Sequence, residues 1–86
     1  MKNDAYEQRR IRLSEANVGL EYRVVDVVTD GYVKKRILDM GLLPGSIVKI
    51  VRTAPLGDPL EILVKGFPLT IRRSEAKCIL VEEVTS

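Results

Sequence analysis

Between Leu13 and Val84 the chain breaks into short apolar stretches separated by Gly, Pro, Asn and Asp, the pattern of several short strands joined by tight turns. Glu21-Tyr-Arg-Val-Val-Asp-Val-Val28 is rich in β-branched and aromatic residues with partial alternation, which predicts a strand. Thr29-Asp30-Gly31 interrupts it. Asp30 is positioned to N-cap a short helix over Tyr32–Met40, where Val33, Ile37 and Met40 fall on one face at the spacing i, i+4, i+7. Gly41 ends that helix by offering a positive φ just past its last turn. Pro44-Gly45 specifies a tight turn, and Ser46–Thr53 follows as a strand with one well-buried face. Ala54-Pro-Leu-Gly-Asp-Pro59 then stops it, because each proline pushes the residue before it, Ala54 or Asp58, towards extended backbone.

Leu60–Lys65 and Phe67–Ile71 alternate around Gly66 and predict a hairpin whose inward set is Leu60, Ile62, Val64, Phe67, Leu69 and Ile71. Pro68 has no amide to donate, so it belongs at an unpaired edge or a bulge. Ser74-Glu75-Ala76-Lys77 suits one helical turn capped by Ser74, and Cys78–Val84 is the closing strand. At the front, Leu13–Gly19 reads as a leading turn with Leu13 and Val18 tucked inward. Residues 1–12 are mostly polar, with Arg9, Arg10 and Arg12 clustered near their end, and read as a basic arm, mobile or loosely docked; the folded domain is taken as 13–86. Some five short strands in so small a chain leave open edges unless the sheet curls, so the expected fold is mainly β, a small SH3-like barrel with one short inserted helix.

Composition narrows the chemistry. Eighty-six residues with 45% hydrophobic content make one small domain, improbable as the host of a deep substrate cleft. The longest strictly apolar run, Cys78–Val81, is four residues, against the roughly 20 that a membrane span needs. The first residues lack the apolar stretch of a secretory signal, and the single cysteine, Cys78, has no partner for an intrachain disulfide, which fits a reducing cytoplasm. Histidine is absent, which removes the commonest transition-metal ligand and the commonest general base near neutral pH. A self-contained zinc site wants about four Cys or His ligands, and with Cys78 alone none is expected. Ser14, Ser46, Ser74 and Cys78 have no histidine to activate them, and no glycine-rich phosphate loop is present, so the chain is not expected to be an enzyme.

The 14 basic and 12 acidic residues leave a net charge of +2. Arg9, Arg10, Arg12, Lys34, Lys35, Arg36, Arg72 and Arg73 would form the footprint of a nucleic-acid site. The four aromatics, Tyr6, Tyr22, Tyr32 and Phe67, are a poor stacking platform, and charge without stacking gives salt-sensitive, nonspecific contact.

Three segments carry more information than a generic barrel needs. In Arg36–Gly45, Leu42 and Leu43 are adjacent and their side chains diverge, so at least one is partly exposed. In Ala54–Pro59, Leu56 occupies the tip of a proline-braced loop. Ile71–Ala76 sets two cations just before a capped turn. Each has a plain structural explanation as well. Gly41, Pro44 and Gly45 stop a helix and start a strand, the prolines rigidify a turn, a Lys-Lys-Arg run is commonly a solvated helix face, and Cys78 reads as a buried, inert thiol. The candidate partner-binding residues are Lys34, Lys35, Arg36, Leu42, Leu43, Leu56 and Asp58; no catalytic, cofactor or metal-ligating residue is assigned.

Arg36 with Leu38-Asp39-Met40-Gly41 and Pro44-Gly45, then Ala54-Pro55-Leu56-Gly57-Asp58-Pro59, then Leu69 with Arg72 and Ser74-Glu75-Ala76 together resemble the FeoA family and the related C-terminal domain of iron-dependent repressors. The likeness runs from about Leu13 to Val84. Ile37 departs from it where the family more often has Leu, and the basic arm is an addition. The resemblance implies an SH3-like barrel with an inserted helix, acting as a cytoplasmic, monomeric adaptor of bacterial ferrous iron uptake. It implies association with FeoB, the membrane transporter with a GTPase domain, at the inner face of the membrane and without insertion into it. No resident cofactor is expected. The alternative is a carrier or sensor of transition metal ions, with Glu82-Glu83 or Asp58 contributing to a weak or intermolecular ferrous iron site; nucleic-acid binding ranks third.

Overall fold

Strand β2 (Glu21–Val27) buries Tyr22, Val24 and Val27, a spacing that strict alternation does not give. The reason is a bulge: the pairing with the last strand shifts register between Val24 and Asp26, which turns Val27 back to the core. The computed structural model describes residues 10–84. After β2 come helix α1 (Gly31–Asp39), strands β3 (Ile47–Thr53), β4 (Leu60–Val64) and β5 (Phe67–Ile71), a single helical turn α2 (Arg73–Ala76) and strand β6 (Ile79–Glu83). Ahead of β2 lie a three-residue strand, β1 (Arg10–Arg12), and a 3-10 turn over Leu13–Glu15.

All pairings are antiparallel, in the order β1-β6-β2-β3-β4-β5. The architecture is mainly β, as expected, but the strands number six rather than five. The extra one is the end of the basic arm: Arg10, Ile11 and Arg12 pair with Glu82, Val81 and Leu80, while the rest of the arm, residues 1–9, lies outside the described residues. Among the described residues hydrogen bonding does not close the sheet, because β1 and β5 are each paired on one side only. The 3-10 turn and α2 touch each other between those two ends of the sheet. One core cluster, from Leu13 through Tyr22, Ile37, Leu42 and Ile62 to Val81, fills the interior.

Several local expectations change. Of the helix face, Ile37 is fully buried, whereas Val33 is 38% exposed, because α1 meets the sheet chiefly through β2. In the hairpin, Leu60, Ile62, Val64 and Ile71 point inward as expected, Leu69 is half-buried, and Phe67 is 72% exposed. Phe67 belongs to the terminal strand, beyond which no described strand covers it. Val18 sits on the crest of its turn, exposed, while the 3-10 turn takes Leu13 into the core. Pro68 lies on an edge strand, where its missing amide does no harm. Ser74 does not cap α2; that helix begins one residue earlier, and its first amides are taken by Glu75 and Asp58.

Candidate docking site

The connection between β3 and β4 is a tight loop. Its ends are tied by the Ala54 N–H donating to Pro59 O at 3.0 Å, and its tip by the Gly57 N–H donating to Ala54 O at 2.7 Å. Arg73 fastens it to the body: Nε donates to Gly57 O at 2.8 Å, and the same guanidinium donates to Ser14 O in the 3-10 turn. The Asp58 carboxylate accepts the Arg73 N–H at 2.9 Å. Leu56 stands on this braced base with 96% of its surface exposed. Burying such a side chain against a partner is worth about 1.5–3 kcal/mol.

The remaining candidates are dispersed. Leu42 is completely buried in the core and cannot contact a partner; its neighbour Leu43 is the exposed one, at 42%. Adjacent side chains diverge here as expected, and the tight turn at Pro44-Gly45, held by the Gly45 N–H donating to Val24 O, fixes which of the two turns inward. Lys35 pairs with Asp39 one turn along α1, at 3.1 Å. Arg36 Nε lies 3.3 Å from Oε2 of the buried Glu75, so it fastens α1 to α2. Lys34 is half-buried. Gly41, two residues before Leu43, lies against Val64 at the end of β4, whereas the Leu56 loop leads into Leu60 at its beginning. Leu43 and Leu56 therefore occupy opposite ends of that strand, and of the exposed candidates Leu56 and Asp58 share one loop while Leu43 stands on another.

Two features escape the sequence reading. Arg73 and Glu75 organise the loop and the α1–α2 junction through partners far away in the chain. An apolar groove of about 510 Å³ also runs over the outward face of β3, β4 and β5, lined by Val51, Leu63, Pro68 and Thr70 among others. Its sequence signal is Leu63, an apolar residue at an outward position in the run Ile62-Leu63-Val64.

Among the described residues no three His, Cys, Asp or Glu side chains gather as a metal site. Of the carboxylates offered for one, Asp58 caps α2, Glu82 lies 3.3 Å from Arg23 and 3.8 Å from Arg10, and Glu83 is exposed at the end of β6. They do not form a ligand set. Cys78 is half-buried, packed against the core, with Sγ 3.7 Å from Ser74 O.

The fold defines a small SH3-like domain whose most exposed apolar side chains, Leu56, Tyr32 and Phe67, lie on the β3–β4 loop, on α1 and on the edge strand β5. The FeoA domain, as a family model, matches residues 11–83, and the chain belongs to the FeoA family. A relative in Porphyromonas gingivalis, a fusion protein of Fe(2+) transport protein A and Fe(2+) transporter FeoB, is 37% identical over 76 residues. That match takes in 88% of this chain but only 9% of the relative's length. The NMR structure of a FeoA-like protein from Clostridium acetobutylicum is 36% identical, with a TM-score of 0.83 and 91% of each chain covered. The crystal structure of Stenotrophomonas maltophilia FeoA complexed with zinc, described as an SH3 domain protein, is 28% identical with a TM-score of 0.73, covering 84% of this chain and 89% of that one. In fold alone the likeness extends to IdeR of T. acidophilum, 22% identical with a TM-score of 0.77, where the match covers 87% of this chain and 34% of the other.

Proposed function

We propose that this chain is a non-enzymatic accessory protein of ferrous iron uptake that binds the cytoplasmic side of a FeoB-type GTPase transporter and modulates it. The observation that carries this reading is the P. gingivalis relative, in which the two parts are one polypeptide. Such a tether raises the effective concentration of one part around the other, which is useful when the two act together. Leu56 supports it from this chain: an exposed leucine on a loop already fixed by Arg73 loses little freedom on docking. An interface centred on one loop falls below about 1,000 Å² and is transient.

The test is titration of the chain against the isolated cytoplasmic domain of the cognate FeoB-type transporter, without nucleotide, with GDP and with a non-hydrolysable GTP analogue. Association is expected in at least one state, weakened about tenfold or more by Leu56→Ala, with the thermal midpoint of the variant unchanged. No association in any state overturns the reading.

A second reading, transition-metal binding, is favoured by the zinc in the S. maltophilia relative. No three-ligand group stands among the described residues, so on this reading the site is shared between two copies. Calorimetry with ferrous iron or zinc distinguishes it: metal uptake that scales with dimer formation supports it, and heat of dilution alone removes it.

A further inference from the structure

The two-residue turn between β4 and β5 has positive φ at both positions, 54° at Lys65 and 88° at Gly66, a type I′ geometry that makes Val64↔Phe67 the hydrogen-bonded closing pair. Bonded and non-bonded pairs alternate along an antiparallel ladder. Leu63↔Pro68 and Glu61↔Thr70 are therefore non-bonded pairs, as a proline requires, and Ile62↔Leu69 is bonded. The Pro68 C=O and the Thr70 N–H and C=O consequently point away from β4, to the side on which no described strand follows. The side chains of Pro68 and Thr70 border the apolar groove over Val51 and Leu63, and the exposed Phe67 ring stands on the other face of the strand.

Charge selects the occupant. Lys65 and Arg72 bracket β5 in the chain, both exposed, and neither has a carboxylate within salt-bridge distance among the described residues. A second copy pairing antiparallel along this edge would set Lys65 of one molecule beside Arg72 of the other, like against like, and would oppose two proline-blunted edges.

We infer that the open edge of β5 is a strand-addition site for an extended segment of a partner protein, with an apolar side chain at its centre and acidic residues at both ends. Main-chain bonds to Pro68 and Thr70 give the segment its register, Val51 and Leu63 receive the central side chain, and Lys65 and Arg72 meet the terminal acids. The site goes beyond the adaptor reading and does not depend on which protein is the partner.

The probe is an acetylated, amidated peptide, Asp-Val-Thr-Val-Thr-Glu, titrated into the 15N-labelled chain. Saturable shifts are expected at Phe67–Ile71 and Leu63, with slowed exchange of the Thr70 amide and no change at Leu56. Three controls should each weaken binding about tenfold: Thr70→Pro in the protein, proline in place of the second Val of the peptide, and lysines in place of the acids. The peptide controls keep the result interpretable if Thr70→Pro fails to fold. Absence of saturable shifts at β5, equal binding of the lysine peptide, or β5 shifts that grow with protein concentration alone, the signature of a second copy, would each overturn the inference. None of these outcomes bears on whether the transporter binds through Leu56, which is read separately.

Discussion

Glu75 is a buried carboxylate that serves two groups at once: Oε1 accepts the Arg72 N–H at 3.0 Å, and Oε2 lies 3.3 Å from Arg36 Nε. Removing it leaves a half-exposed guanidinium unpartnered and the Arg72 amide, just ahead of α2, without an acceptor. Glu75→Ala is expected to cost about 2–4 kcal/mol, and Glu75→Gln about 1–2, since the amide oxygen still accepts from Arg72 but no longer balances Arg36. Urea unfolding of the two variants measures the difference, and equal losses would show that the cap bond contributes nothing. The same residue explains where reading the sequence stops. Leu56 is legible as exposed because flanking prolines fix a loop around it, and the Leu42-Leu43 pair is legible as divided because adjacent side chains diverge. Arg36 is not legible as a fastener. Its partner lies across the fold on another element, so in sequence it belongs to a basic run that resembles a solvated face.

Among the elements, alternation predicts burial where the ladder is regular and the strand is covered, and fails where a bulge shifts the register or an edge leaves a face bare. β4 lies between β3 and β5 and buries Leu60, Ile62 and Val64 as its pattern predicts. In β5 the pattern is equally regular, yet Phe67 is exposed, because alternation records which face a side chain takes and not whether anything covers that face. Likewise β2 shows only partial alternation in sequence, and the bulge near Val25 is the cause. The β4–β5 turn carries a correctable local cost. Lys65 holds φ 54°, a left-handed conformation that asparagine adopts more easily and that a non-glycine residue pays roughly 1–2 kcal/mol to enter. Lys65→Asn, creating the Asn-Gly pair that type I′ turns favour, is expected to stabilise the domain by about 0.5–1 kcal/mol. A raised thermal midpoint checks it; an unchanged or lowered one would mean that the aliphatic stem of Lys65 contributes more than the strain costs. The exchange removes one cation bracketing β5, so this variant should also bind the acidic probe peptide more weakly while being more stable.

For the molecule as a whole, the deciding question is how a sheet of six strands that does not close protects its edges. β5 carries Pro68 and flanking cations; at the other end, β6 is covered by β1. That cover is small but specific. Ile11 packs against the core, Arg12 Nη1 donates to Lys77 O at 3.1 Å, and Arg10 lies 3.8 Å from Glu82. The exposed ion pair contributes about 0–1 kcal/mol, so the ladder and Ile11 carry most of the effect. The three residues look like the end of a polar arm because a strand this short has almost no periodicity, and only its antiparallel register with Glu82, Val81 and Leu80 identifies it. A chain beginning at Arg10 and one beginning at Leu13, each with an initiating methionine, differ by this strand alone. The shorter is expected to lose about 1–3 kcal/mol in urea unfolding and to aggregate more readily, since β6 would present its unpaired groups at the new edge. Light scattering during refolding at rising concentration separates the two effects: lost stability without added aggregation would mean that β1 contributes packing only, and equal behaviour of both chains would mean that the domain begins at Leu13.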